Sequence, residues 1–147
     1  MAKLPNGQIL ESFCEVMIRE LLAMAKGRLK SEFVERAEVF SDRCVAVAER
    51  LDRDRRFRRI IDQLVGAGTS VGANICEADE AMSDKDFRKS LAIVSKELRE
   101  TGFFLRLCIR RDWLKSNKLA PLLAELDEIK RIVGSILTKT DPRNKSD

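Results

Sequence analysis

Hydrophobic positions in this chain recur in alternating steps of four and three, the repeat of helices packed side by side, and strand-like alternation is scarce. The plainest case is residues 60–78, IIDQLVGAGTSVGANICEA. Phe57, Ile61, Leu64, Gly68, Val71, Ile75 and Ala78 make an apolar seam there, and Gln63, Ala67, Ser70, Asn74, Glu77 and Ala81 make a small, polar seam one residue back. Two adjoining seams imply a helix that meets partners on more than one side. Gly66, Gly68 and Gly72 each cost roughly 1 kcal/mol relative to alanine in a helix interior, and close approach of another backbone is the usual compensation. Gln63, Ser70, Asn74 and Glu77 then read as a structural polar seam, partly dehydrated and in need of hydrogen-bond partners. Acid/base or metal chemistry at Asn74 and Glu77 is disfavoured, because the chain has no histidine and no second carboxylate at ligand spacing beside them.

The remaining segments carry the same period. Residues 8–26 hold a broad apolar stripe behind Asn6, a candidate N-cap, with Gly27 a candidate stop and Ser31 a new N-cap. A single helix over residues 8–51 is the alternative. Phe33, Ala37, Phe40, Cys44, Val47 and Leu51 form the next seam. An arginine-rich turn follows, in which Asp52 or Asp54 can cap the central helix. Ser83 and Asp86 resemble a capping box that opens a helix reaching Arg111, with Phe87, Leu91, Val94, Leu98, Leu105, Cys108 and Ile109 toward the core. Ile93, Phe104 and Leu107 widen that apolar surface, which points to self-association. Trp113 lies in a loop expected to fold back on the bundle end, and Asn117 can cap the last helix. Pro121 is tolerated in its first turn. Leu119, Leu122, Leu126, Ile129, Val133 and Ile136 line that helix, and residues 143–147 are expected to be disordered.

Composition adds limits to this picture. The chain has 147 residues, the size of one domain, with 44% hydrophobic and 35% charged residues. No run of eighteen or more apolar residues is present, and residues 1–5 lack the layout of a secretory signal, so a cytoplasmic protein is expected. Cys14, Cys44, Cys76 and Cys108 stand singly in apolar stripes without a C-x-x-C pair, which reads as small buried hydrophobes, with no metal site. No phosphate loop, nucleophile–base pair or metal motif occurs, so no enzymatic activity, cofactor or small-molecule substrate is expected.

The net charge of +4 is modest, so the placement of the charges matters more than their sum. Arg53, Arg55, Arg56, Arg58 and Arg59 form one dense group. Lys89, Lys96, Arg99, Arg106 and Arg110, with Arg111 beyond them, form a basic line interleaved with Phe103 and turned away from the Phe87–Leu98 seam. Such clusters can hold phosphates. The plainer reading is a solvated face in which Asp52, Asp54, Asp62, Glu97 and Glu100 pair with the cations.

The run from Gln63 through Ala67, Thr69-Ser70-Val71, Ala73-Asn74-Ile75 and Glu77 resembles the signature of a small bacterial four-helix-bundle family, first noticed as reading frames inside intervening sequences of 23S ribosomal RNA genes. The likeness continues through Ser83, Asp86 and Phe87 into residues 90–101, and covers roughly residues 33–137. Val65 and Gly66 stand where that family's pattern has two basic residues, and Ala78 replaces a common glycine.

The resemblance implies an all-α, antiparallel up-and-down four-helix bundle, to which the apolar stripe of residues 8–26, outside the resemblance, adds an N-terminal helix. Residues 1–30 would be the extension, 31–140 the bundle and 141–147 the tail. It also implies a ring-like homopentamer without enzymatic activity. A related branch serves diversity-generating retroelements, binding reverse transcriptase and nucleic acid. The expected function is therefore a homo-oligomeric adaptor that binds RNA, DNA or a nucleic-acid-handling protein such as a reverse transcriptase through its arginine-rich surfaces. The alternative is a protein-binding scaffold that docks a partner with its N-terminal helix.

Overall fold

A computed structural model describes residues 27–145, in which four α-helices are followed by a short 3-10 turn: α1 (Ser31–Arg53), α2 (Arg58–Asp79), α3 (Asp84–Arg110), α4 (Ser116–Lys139) and Pro142–Lys145. No strand occurs among the described residues. The expected N-terminal helix over residues 8–26 lies outside them. Residues 27–30 are not helical, which excludes one continuous helix through residues 8–51.

Short connections force antiparallel neighbours, and side-chain contacts fix the two ends of the bundle. At one end Arg28, just before α1, donates from its Nε to the Ala81 carbonyl (2.8 Å) and pairs with Asp84 (2.8 Å) in the α2–α3 corner. Arg88 near the start of α3 donates to the Leu137 carbonyl (2.6 Å) near the end of α4. At the other end the rings of Phe57, between α1 and α2, and Trp113, between α3 and α4, stand 5.8 Å apart. The helices thus run up, down, up and down. Arg36 and Glu125 close the square between α1 and α4 with a two-pronged ion pair of 2.9 and 3.0 Å.

The seams meet in one core. Phe40, Leu51, Leu64, Val71, Ile75, Leu91, Val94, Leu98, Leu105, Ile129 and Val133 are fully buried. Each such side chain stabilises the fold by about 1.5–3 kcal/mol through removal from water. Ala48, with Val47 only half-buried, takes the core position on α1, so its seam runs Phe33, Ala37, Phe40, Cys44, Ala48 and Leu51. Phe57 is not part of the α2 seam: it is the N-cap of α2 and 68% exposed.

Packing of α1 on α2 explains two of the glycines. A Cβ at Gly68 would stand 2.5 Å from the Cβ of Cys44, and one at Gly72 would stand 2.6 Å from the Ser41 hydroxyl and 3.3 Å from the Ala37 carbonyl oxygen. Into this gap Ser41 projects its hydroxyl, which donates to the Gly68 carbonyl (2.8 Å) and accepts from the Gly72 amide (3.0 Å). Gly66 instead faces open space.

The polar seam is less enclosed than its spacing suggests. Gln63 and Glu77 are exposed, Ser70 and Asn74 are half-buried, and the Asn74 amide donates to the Ser70 carbonyl of its own helix (2.9 Å). The hydrogen-bonding role expected of that seam belongs to Ser41, across the interface.

Helix starts differ from the expected caps. Ser83 caps α3 by accepting from the Asp86 amide (3.0 Å), the first half of a capping box, but the Asp86 carboxylate turns back to accept from the Ser83 hydroxyl (2.6 Å) in place of its backbone amide. By contrast α1, α2 and α4 start after Lys30, Phe57 and Lys115, with no side-chain cap, so Ser31, Asp52, Asp54 and Asn117 do not cap them. The tail is ordered further than expected: the Asn144 amide donates to the Thr138 carbonyl (2.9 Å), and Arg143 pairs with Asp141 (2.8 Å).

Candidate nucleic-acid interface

Up-and-down topology brings the turn after α1 and the turn after α3 to the same end, so two basic segments far apart in sequence become neighbours. Arg53, Arg55, Arg56, Arg58 and Arg59 come from the first turn, and Arg110 and Arg111 from the second; all are exposed. Lys115 and Lys118 add to the same end. Neither lysine was singled out from sequence, because their partnership with the first turn depends on topology.

Both turns have the same construction. Asp54 and Arg111 are the C-caps of α1 and α3, and the next residues, Arg55 (φ 55°) and Asp112 (φ 53°), are left-handed. The following amides reach back six residues' span: Arg56 N–H to the Leu51 carbonyl (3.1 Å) and Trp113 N–H to the Cys108 carbonyl (2.9 Å). Inner bonds join Arg55 to Asp52 (2.9 Å) and Asp112 to Ile109 (2.9 Å). This is a pair of Schellman motifs in which non-glycine residues hold the position where glycine is usual. The two residues that follow meet across the end, with the Arg56 guanidinium 5.8 Å from the centre of the Trp113 ring.

Arg53 and Arg110 lie in the last turns of α1 and α3, where the helix dipole favours cations, but two of their neighbours run against local preference. Arg58 and Arg59 occupy the first turn of α2, which has no acidic residue, so two cations sit at the positive end of the helix dipole. Asp54 pairs with Arg50 (3.6 Å), a helix neighbour. The other ion pairs among the described residues are Arg28–Asp84, Arg36–Glu125, Arg131–Glu128 and Arg143–Asp141, and none uses an arginine of this end or a lysine or arginine of the basic line. The pairing expected from Asp52, Asp62, Glu97 and Glu100 is not found.

The basic line on α3 runs toward the same end. Lys89, Lys96, Arg99, Arg106 and Arg110 are all exposed, and Phe103, 56% exposed, lies midway between Lys96 and Arg110 at seven-residue spacing. Its ring meets Phe104 edge-on at 5.2 Å.

A separate groove of about 950 Å³ opens between α1 and α4 near the opposite end, with Phe33, Phe87, Ile132 and Ile136 on its floor and Arg28, Arg36, Arg131 and Lys139 on its rim. No group of three or more histidine, cysteine or acidic side chains comes together as a metal site among the described residues. No described helix is long and apolar enough to cross a membrane.

Comparison with known proteins agrees with this fold. A crystal structure of a protein of unknown function from the S23 ribosomal protein family of Bacteroides thetaiotaomicron superposes with a TM-score of 0.68 at 31% identity, covering 71% of this chain and 97% of that one. No match was found among curated proteins. The family model described as 23S rRNA-intervening sequence protein matches residues 30–135, the span of the four helices, and the chain therefore belongs to that family.

Proposed function

We propose that the protein is a non-enzymatic, homo-oligomeric adaptor, pentameric as the resemblance implies, that binds RNA through the arginine-rich end and the α3 line leading to it. The observation that carries this reading is the lack of ion pairs at that end among the described residues: exposed arginines crowd it while the one ion-paired carboxylate nearby, Asp54, is taken by Arg50. A phosphate backbone could then be bound without first breaking ion pairs, and counterion release would favour it. Local preferences give further support. Left-handed Arg55 and Asp112, an uncapped α2 and cations at its positive end are small costs gathered in one place, the pattern found where function overrides stability.

Self-association has its own support in the α3 flank, where Ile93, Phe104 and Leu107 are only half-buried in the single chain. In a ring the basic end recurs in every subunit, so modest contacts would combine by multivalency. The test is RNA retention measured by anisotropy across a salt series. Binding that weakens steeply with salt supports the reading, and absence of binding at low salt ends it. Light scattering that returns a monomer mass at micromolar concentration would remove the oligomer.

A further inference from the structure

We infer that the arginine-rich end recognises unpaired bases, with Phe57 as a stacking surface, so that its ligand is single-stranded nucleic acid or an unpaired loop. This rests on the proposed binding of nucleic acid at that end. Phe57 is 68% exposed although a phenylalanine gains from burial, and it is held in place from behind by the Trp113 ring at 5.8 Å. The flat guanidinium of Arg56, over Trp113, extends the platform. Arg55, Arg58 and Arg59 lie within two positions of Phe57 along the chain, and all are exposed. Cations beside an exposed aromatic are the elements that bind single strands, the phosphates by charge and the bases by their faces. A second copy docked by this same end is a poor occupant, since it would bring the same arginines face to face. Duplex recognition has no use for the ring, because paired bases keep their faces stacked on one another.

The test uses the full chain with a fluorescent oligouridine and an RNA duplex of the same length. Trp113 is the chain's one tryptophan, and tyrosine is absent, so its emission reports on this end directly. The single strand should bind more tightly than the duplex and change that emission. Phe57→Ala should weaken the single strand roughly tenfold, within the range of one lost base stack, leave the duplex unchanged and keep the same salt slope. Phe57→Trp should restore binding. Because the ring is mostly in water, Phe57→Ala should melt close to the parent, and a melt of each variant checks this. Equal affinity for single strand and duplex with no effect of Phe57→Ala would overturn the inference while leaving phosphate binding intact. If neither RNA binds at low salt, the underlying proposal fails as well. An oligodeoxyuridine arm, which differs from the oligouridine only in lacking the 2′-hydroxyl, shows whether that group is read.

Discussion

Arg56 and Trp113, each the second residue past the C-cap of its helix, lie one over the other, the guanidinium carbon 5.8 Å from the ring centre. Two helix ends separated by more than fifty residues are thereby tied to each other by the residues that terminate them. An exposed cation–π contact contributes roughly 0.5–1 kcal/mol, so Arg56→Ala should lower stability by about that amount in a urea titration. Arg56→Lys, which keeps the charge but loses the flat stacking plane, should recover part of it.

The left-handed residues before them give a prediction of opposite sign. A side chain in this conformation costs roughly 1–2 kcal/mol, partly offset by the extra freedom that glycine loses on folding, so Arg55→Gly should stabilise the protein by about 0.5–1 kcal/mol. The same variant should bind RNA more weakly. A gain in melting temperature accompanied by a loss of affinity would mark Arg55 as retained for binding, and unchanged affinity would remove it from the site.

Three glycines in one helix should respond in different directions. Gly68→Ala would press a methyl against Cys44, and Gly72→Ala against Ser41 and the Ala37 backbone, so each should cost about 1–3 kcal/mol as α1 is pushed away from α2. Gly66→Ala meets nothing within 4 Å and should stabilise by up to about 1 kcal/mol. Ser41→Ala should cost roughly 1 kcal/mol by removing the hydroxyl bonded to Gly68 and Gly72. Denaturant midpoints of the four variants check the set.

How legible this was in the sequence depends on the range of the interaction. The period of the apolar residues located the four helices and nearly all their buried positions, because burial and helical geometry act within a few turns. Glycine cost pointed to a close approach on α2, but nothing in the sequence named Ser41, which is thirty-one positions from Gly72. Gln63 and Glu77 share the spacing of buried residues yet face water, since a seam of small residues does not say which of its flanks a partner covers. Phe57 stood in register with the α2 seam but one step beyond the helix start, where the chain turns it outward. The arginine clusters were visible one by one; their union at one end follows only from the antiparallel path.

Thiol ionisation gives a pH prediction. Burial pushes the Cys44 thiol up to about 12, and it pushes the Cys108 thiol up as well. Half-buried Cys76 is also raised, first by burial and then by the Glu38 carboxylate that accepts from its sulfur at 3.6 Å. A thiol whose pKa is higher folded than unfolded leaves stability intact below the unfolded value near 9 and withdraws it as pH climbs toward 12, because the unfolded chain then loses protons that the folded one keeps. Stability measured by urea titration should therefore fall between pH 9 and 12, and Cys44→Ala should flatten that fall. Alkylation of the native protein at pH 8, followed by peptide mass spectrometry, should modify Cys76 before Cys108 or Cys44.

The salt dependence of RNA binding tests the role of the arginine-rich end against that of net charge. Each phosphate contact with single-stranded RNA adds about 0.7 to the slope of log affinity against log salt, so replacing Arg55, Arg58 and Arg59 together with alanine should lower the slope by about 2. Loss of folding cannot mimic this result. Arg58 and Arg59 lie at the positive end of α2, and their removal should stabilise the helix by about 0.3–1 kcal/mol each. A matched variant that removes Lys30 and Lys139, exposed residues near the opposite end, should leave the slope within error of the parent. If that variant lost as much slope per charge as the first, binding would follow total charge, and the end formed by the α1–α2 and α3–α4 turns would have no special part in it.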